Sequence, residues 1–265
     1  MIIDSHAHVM MPVEKQFFLM DEASVDKTVL FSTTPHPELA NSLHSFENEM
    51  NVLNNILTGT YSPEERIQNI ARTTSEMCSR IKQYPDKFFG FGTLPLSLPL
   101  ENILSWIDTH IISNGLLGLG EITLGTGQTQ LLENIFIASG NFGQLPLWIH
   151  TFHPLDLSDL KRIAVLAEKY NDIPVVFGHI GGVNWIEAIK IAKTLKNIYL
   201  DLSATYTVLA PKLAIAELPD RVLFSSDAPY GNPMLIRKMV EMVSPNDAVT
   251  ERVLGGNIGE LLWGR

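Results

Sequence analysis

The chain opens with MIIDSHAHVM, residues 1–10, in which Asp4, His6 and His8 take alternate positions behind two isoleucines. A β-strand sends alternate side chains to one face, so these three polar groups stand in a row on one side. An apolar core has no use for such a row. A reactive rim does, and the rest of the chain decides which rim is available.

Working outward, short β-rich runs alternate with helical patterns. After the first come KTVLFS, KFFGFGTL, LLGLGEI, PLWIH, PVVFGH, IYLDLS and RVLFSS, most of them bounded by Gly, Pro, Asn or Asp. The intervening LSDLKRIAVLAEKY places Leu160, Ile163, Leu166 and Ala167 near helical spacing, and NWIEAIKIAKTLK does the same with Trp185, Ile189 and Ala192. Several strand starts lie roughly 24–29 residues apart, the length of one βα unit with short loops. One interval is longer. It holds two helical patterns, the second opened by Ser62 as N-cap and Pro63 at the first helical position. This predicts a helical insertion after the second strand, over about 35–84, lying above the rim.

Strands and helices alternating over 265 residues predict a single α/β domain across 1–265, a (β/α)₈ TIM barrel. A doubly wound open sheet is the alternative. It lacks the G-x-G-x-x-G turn after the first strand, where His6 and His8 stand instead. The formal net charge of −10 argues against a nucleic-acid partner. No apolar stretch reaches the roughly 18 residues of a membrane span, and the single cysteine, Cys78, excludes an internal disulfide. Cys78 reads as a core thiol. The expectations are a cytoplasmic protein acting on a small molecule, without nucleic-acid or membrane partners; a homodimer is compatible with the sequence.

On the barrel scheme the polar residues fall at strand ends. His6 and His8 end the first strand, Glu121 the fourth, His150 the fifth and His179 the sixth, while Asp227 follows the eighth. The carboxyl ends of barrel strands meet at one rim, so residues from most of the chain converge there. Imidazoles and carboxylates are the ligand types for Zn²⁺ and related divalent ions. His6, His8, His150 and Asp227 form the minimum expected ligand set, and Asp4 the expected partner orienting one of the histidines.

These residues carry a resemblance. D-S-H-A-H on the first strand, G-E-I on the fourth, I-H on the fifth, G-H-I-G-G on the sixth and S-S-D-A-P-Y-G on the eighth resemble the amidohydrolase superfamily. The narrower likeness is to its amidohydrolase-related branch, which LDLSA and the final G-N-I-G-E-L-L also suit. The resemblance implies a (β/α)₈ barrel with a metal centre, usually zinc, and either hydrolysis or non-oxidative decarboxylation of aromatic or unsaturated acids. Decarboxylase-like members hold one metal through the H-x-H, the fifth-strand His and the eighth-strand Asp, with the sixth-strand His in proton transfer. Glu121 resembles instead the bridging carboxylate of two-metal members such as TatD-type deoxyribonucleases. That arrangement would join a metal on His6, His8 and Asp227 to one on His150 and His179. The number of ions, one or two, stays open.

The reading adopted from sequence is a metal-dependent hydrolase attacking a C–N or C–O bond, with a metal-dependent decarboxylase as the alternative. Asp227 is the expected proton acceptor from metal-activated water, and His179 the second catalytic group. The expected rim loops contain no Lys or Arg. Arg66, Arg72, Arg80 and Lys82 on the insertion are read as a solvated helix face, with the alternative that one of them reaches over the rim. Met10, Met11, Phe152, Trp185 and Tyr230 would then line a partly apolar pocket, with Phe152, Trp185 and Tyr230 as substrate contacts. A decarboxylase would differ by bringing a basic residue to the substrate carboxylate.

Overall fold

A computed structural model describes residues 1–264. Eight strands follow one another: β1 (Ile3–His8), β2 (Lys27–Phe31), β3 (Phe88–Phe91), β4 (Leu119–Ile122), β5 (Leu147–His150), β6 (Val175–Gly178), β7 (Ile198–Asp201) and β8 (Val222–Leu223). Their ladders are all parallel. Hydrogen bonds from Gly92 N to Gly118 O (3.1 Å) and Gly120 N to Gly92 O (3.0 Å) join β3 to β4. Ser5 N to Phe224 O (2.9 Å) and Asp227 N to His6 O (2.7 Å) join β8 to β1. The sheet therefore closes, and no edge is left to pair with another chain. This is the TIM barrel expected from the alternating pattern.

The strands are short and apolar because both faces are covered. Outward residues such as Leu30, Ile149 and Phe177 pack under the helices, while Ile3, Val29, Phe31, Phe91, Trp148, Val176 and Leu223 fill the barrel interior. Phe31, Phe91 and Trp148 meet with ring centroids 5.3–5.6 Å apart and form the floor below the rim. Gly120 admits the large Trp148: a Cβ at this glycine would stand 2.6 Å from Trp148 Cβ and 2.9 Å from its carbonyl oxygen. Truncating any of these three rings to alanine is expected to cost about 3–5 kcal/mol.

The helices are α1 (Val13–Glu22), α2 (Leu43–Thr58), α3 (Pro63–Gln83), α4 (Leu100–Trp106), α5 (Leu132–Asn141), α6 (Leu157–Lys169), α7 (Trp185–Thr194), α8 (Leu209–Glu217), α9 (Pro233–Val243), α10 (Asp247–Glu251) and α11 (Asn257–Trp263). Ile258 and Leu261 of α11 close the barrel interior from below. Ser62 does cap α3, through a reciprocal bond pair with Glu65, and Pro63 opens the helix. Cys78 of α3 is free and buried.

The insertion is shorter than 35–84. The second half of α3, with Met77 and Ile81 against Gly90, packs on β3 and serves as the barrel's own helix between β2 and β3. What is added is α2, the short helix Pro37–Leu39 before it, and the first half of α3. Helix α2 buries no residue fully. Its apolar stripe is Leu53, Ile56 and Leu57, which lies over the mouth of the barrel.

Candidate metal centre

All six rim residues come together. All six side chains are largely buried, from His6 at 0% and His179 at 4% exposed to Glu121 at 9% and His8 at 11%. Strand alternation brings His6 and His8 to the same side; the rest arrive from four other strand ends. His179 and Asp227 both adopt left-handed backbone angles, φ 61° and 57°. Non-glycine residues are uncommon there, and such positions cluster at functional sites.

The donor atoms divide into two groups that share Glu121. His8 Nε2 lies 3.1 Å from Asp227 Oδ1, His6 Nε2 lies 3.8 Å from it, and Glu121 Oε2 lies 3.6 and 3.7 Å from the two imidazoles. Four ligands held at about 2.1 Å in a tetrahedron would be about 3.4 Å apart, so these atoms are spaced like ligands around one ion. His6 Nε2 and Asp227 Oδ1 are buried and have no hydrogen-bond partner among the described residues. Buried polar atoms without partners are expensive, and a divalent cation satisfies both at once. The donor set fits a divalent metal ion.

The second group is tighter. Glu121 Oε1 lies 2.9 Å from His150 Nδ1 and 3.0 Å from His179 Nε2, and these two nitrogens are 3.0 Å apart. The far nitrogens are anchored, His150 Nε2 on the His153 carbonyl at 2.9 Å and His179 Nδ1 on Ser203 Oγ at 2.8 Å. His150 therefore faces Glu121 and His179, and the fourth atom beside His6, His8 and Asp227 is Glu121 Oε2. The two carboxylate oxygens divide between the groups as a bridging ligand would.

Asp4 was expected to orient a histidine ring, and it does not. Its carboxylate accepts from Ser226 N (2.9 Å), from Ser226 Oγ and, at 3.3 Å, from His6 N, so it ties the β8 loop to the β1 backbone. Burial pushes its pKa up to about 7 despite those donors. The ring of His6 is held by Asp201, at the end of β7, whose Oδ2 lies 2.7 Å from His6 Nδ1. The same oxygen accepts from Trp148 Nε1 at 3.0 Å, and Oδ1 accepts from Ser203 N at 2.6 Å. With Nδ1–H donated to Asp201, Nε2 of His6 presents a lone pair to the site. Sequence reading passed over Asp201, although an acid ending a strand in LDLSA was the same signal that found Glu121.

Electrostatics bind the cluster together. Burial pulls the His6 imidazole down, but the Glu121 and Asp201 carboxylates outweigh it and hold the pKa well above its usual value. Burial also opposes the His179 cation, yet Glu121, Asp227 and Asp201 raise it. Against burial, His6, His150 and His179 keep Glu121 well below the usual carboxylate range, and His6 and His179 lower Asp201.

His8, Glu121, His150, His179 and Asp227 form the floor of a cavity of about 350 Å³ roofed by the insertion, with His6 buried beneath them. Phe152, His153 and Tyr230 line it, whereas Trp185 does not: its indole N–H turns to the Tyr206 hydroxyl at 3.2 Å. Met10 is also absent from the lining, packed in the core with Ala7 and Ala228. The buried Tyr230 hydroxyl has no hydrogen-bond partner among the described residues, and burial, reinforced by Asp227 and Glu121, raises its pKa and keeps it a donor.

Arg66 departs from the solvated face read from sequence. It lines the cavity from α3, with Nη2 2.7 Å from Thr123 Oγ1, and no acidic side chain lies within ion-pair distance among the described residues. Burial lowers its pKa from a very high starting value, so the guanidinium stays charged.

Comparison with known proteins follows the same lines. The family model described as Amidohydrolase matches residues 3–262. A comparison with curated proteins returns no match. Among solved structures, 5-carboxyvanillate decarboxylase from Sphingomonas paucimobilis is 14% identical, with 98% of each chain covered and a TM-score of 0.72. A TIM-barrel protein from Bordetella bronchiseptica is 16% identical over 100% of this chain and 99% of its own, at a TM-score of 0.73. A dihydroxybenzoic acid decarboxylase from a Polaromonas species, with bound manganese, is 16% identical over 98% and 96%, at 0.65. No helix among the described residues is long and apolar enough to cross a membrane.

Proposed function

This chain belongs to the amidohydrolase family, and from that premise we propose that it is a metal-dependent decarboxylase of a small aromatic or unsaturated acid. The observation that carries the reading is Arg66. A guanidinium drawn into a cavity wall loses solvation, and no carboxylate among the described residues compensates it here. An anionic substrate would supply the missing partner, in the bidentate geometry that Arg offers a carboxylate. Water-driven cleavage of a neutral ester or amide gives this cation nothing to bind. The likeness to decarboxylases of hydroxylated and methoxylated benzoic acids points the same way.

His6, His8 and Asp227, with Glu121 Oε2, would hold the ion. When bound, it would polarise an oxygen of the substrate and favour negative charge there. Zinc or manganese suits these donors. The chain's own groups supply the rest. Arg66 holds the acid group, Tyr230 donates a hydrogen bond, and Phe152 with Leu53, Ile56 and Leu57 excludes water from the ring face. His179 in its cationic form passes the Nε2 proton to the carbon that loses its carboxylate. The C–C bond breaks, its electron pair stays on that carbon to form the new C–H bond, and CO₂ leaves. Asp227 faces the imidazolium and stabilises it, with Oδ2 4.0 Å from His179 Nδ1.

A two-ion hydrolase is the second reading, favoured by the Glu121–His150–His179 triad. Arg66 variants separate the two. In metal-loaded protein assayed on hydroxybenzoic acids, Arg66→Ala should raise KM about 10–100-fold, the cost of a lost charged hydrogen bond, with Arg66→Lys intermediate. Unchanged KM in both variants would remove Arg66 from substrate binding. Hydrolysis of lactones at two ions per chain, without decarboxylation, would favour the second reading.

A further inference from the structure

Arg66 is not alone on its face of α3. Asn69, Ile70 and Thr73 follow it at intervals of three, four and seven residues, and all four line the catalytic cavity. Positions so spaced share one side of a helix, with neighbouring Cβ atoms about 5–6 Å apart. The wall that α3 presents therefore carries a cation, an apolar side chain and two further polar groups in a fixed order along one axis.

Much of the polar wall is already committed within the protein. Thr73 Oγ1 donates to the Asn69 carbonyl at 2.9 Å, Thr33 Oγ1 to the Pro35 carbonyl at 3.2 Å and Thr93 Oγ1 to the Glu121 carbonyl at 2.8 Å. Thr123 Oγ1 accepts from Arg66. The carboxamide of half-buried Asn69, by contrast, makes no hydrogen bond among the described residues. The Tyr230 hydroxyl is also uncommitted, but it stands on the metal side, its ring 5.8 Å from that of His8. Ser32 and Thr34 line the cavity from the loop after β2, with no helix to set their distance from Arg66. Asn69 is the free polar group whose place relative to the guanidinium is built into the fold.

We propose that Asn69 determines specificity: its carboxamide hydrogen-bonds a ring hydroxyl meta to the carboxylate that Arg66 holds. The inference rests on the decarboxylase reading and names the substrate class within it, a benzoic acid with a meta hydroxyl. A neutral amide leaves the guanidinium free for the acid group, whereas an acidic side chain there would compete for it. The amide offers a carbonyl acceptor and two N–H donors, so it pairs with a hydroxyl in either direction. Spacing selects the ring position. Long helical side chains lean toward the N-terminus, so the guanidinium stands farther from the carboxamide than the Cβ spacing. An ortho hydroxyl stays beside the carboxylate, while a meta hydroxyl projects away from it along α3. An acid without that hydroxyl leaves the amide unpaired, and a site built to bond a hydroxyl discriminates against such an analogue.

Calorimetric titration of metal-loaded protein with two acids tests this without depending on turnover. The probes are 2-hydroxybenzoate and 2,5-dihydroxybenzoate, which adds one hydroxyl meta to the carboxylate. The wild type should bind the dihydroxy acid about 3–10-fold more tightly, the worth of one neutral hydrogen bond. In Asn69→Leu, a side chain of similar size, that preference should vanish while binding of 2-hydroxybenzoate is kept. Asn69→Ala should behave alike and stands in if Asn69→Leu fails to fold. Arg66→Ala should weaken both acids and leave the preference between them. A preference that persists without the carboxamide, or is missing from a wild type that binds both acids, would overturn the Asn69 assignment alone. Wild-type protein that binds neither acid, or binds both no better than Arg66→Ala, would overturn the decarboxylase reading and this inference with it.

Discussion

Replacing Asp201 with asparagine removes one charge at the point where the barrel core meets the metal centre. Asp201 accepts three hydrogen bonds, from His6 Nδ1 and Trp148 Nε1 at Oδ2 and from Ser203 N at Oδ1. Asparagine has one acceptor oxygen and one NH₂ donor. With its oxygen toward His6 and Trp148, the NH₂ faces the Ser203 N–H across a contact that is 2.6 Å in the wild type. Turned over, the NH₂ faces His6 and forces the tautomer whose Nε2 carries the proton, which closes that atom to a metal. Either way a buried donor is left unsatisfied, at about 1–3 kcal/mol. For a chain of this size that is a fall in Tm of roughly 2–10 °C. Loss of a ligand's orienting partner typically costs about 10–100-fold in metal affinity. Competition of the variant against a fluorescent chelator, with Mn²⁺ and with Zn²⁺, measures the second effect, and thermal melting of the metal-free protein measures the first. Asp4→Asn is the control. It should cost stability through the Ser226 contacts while shifting metal affinity less. Wild-type affinity in Asp201→Asn, with the loss appearing in Asp4→Asn, would refute the assignment of the orienting role.

Three further outcomes follow from the same geometry. His179→Asn should lower kcat by about 10²–10⁴ with metal still bound at the His6–His8–Asp227 group, because it removes a proton donor; metal analysis beside steady-state kinetics checks it, and an unchanged kcat would exclude His179. Arg66→Ala should act mainly on KM for acids, as described above. The metal-free protein should show a stability plateau with two shoulders. The raised pKa of His6 makes its contribution complete below its ordinary value of 6.5, and the contribution fades as pH rises through the higher folded value. Glu121 and Asp201 contribute fully above their ordinary values of 4.5 and 3.8, and that part is lost as pH falls through their lowered folded values. Melting scans from pH 3 to 9 should therefore place the maximum near pH 5–6, roughly. Saturating metal should remove the alkaline decline, since the ion takes the place of the proton on His6. A metal-free protein whose Tm rises steadily above pH 7 would contradict the cluster's charge arrangement.

The barrel was legible because most strands are short, apolar and bounded by breakers, and because several strand starts are spaced by one βα unit. The rim residues were legible for a related reason: a polar residue ending an apolar strand points to the one face where barrel strand ends converge. Three things lay beyond that logic. Alternation put Asp4 on the same face as His6, but the β1–β2 register shifts between Asp4 and Ala7, so the period of two is broken there and the Asp4 carboxylate meets Ser226 instead. Trp185 follows the GHIGG turn, where Ile180, Gly181 and Gly182 all have positive φ and turn the chain away from the cavity. A Cβ on Gly182 would meet the Phe152 ring at 2.0 Å, so this turn also lets Phe152 close the pocket. Arg66 was misread because α3 does two jobs. Its second half packs on β3 as a barrel helix, and its first half projects over the rim, so one helical period describes neither environment. The choice between hydrolase and decarboxylase turned on that side chain; the sequence allowed one basic residue of the insertion to reach the rim but did not single out Arg66.

The most direct test of the account uses metal-loaded protein, a panel of hydroxybenzoic and unsaturated acids labelled with ¹³C at the carboxyl group, and D₂O as solvent. Decarboxylation predicts release of labelled CO₂ from an accepted acid, with one deuterium on the carbon that carried it and none elsewhere. Failure to release label from any acid, together with hydrolysis of lactones or esters by the same preparation at two ions per chain, would contradict it.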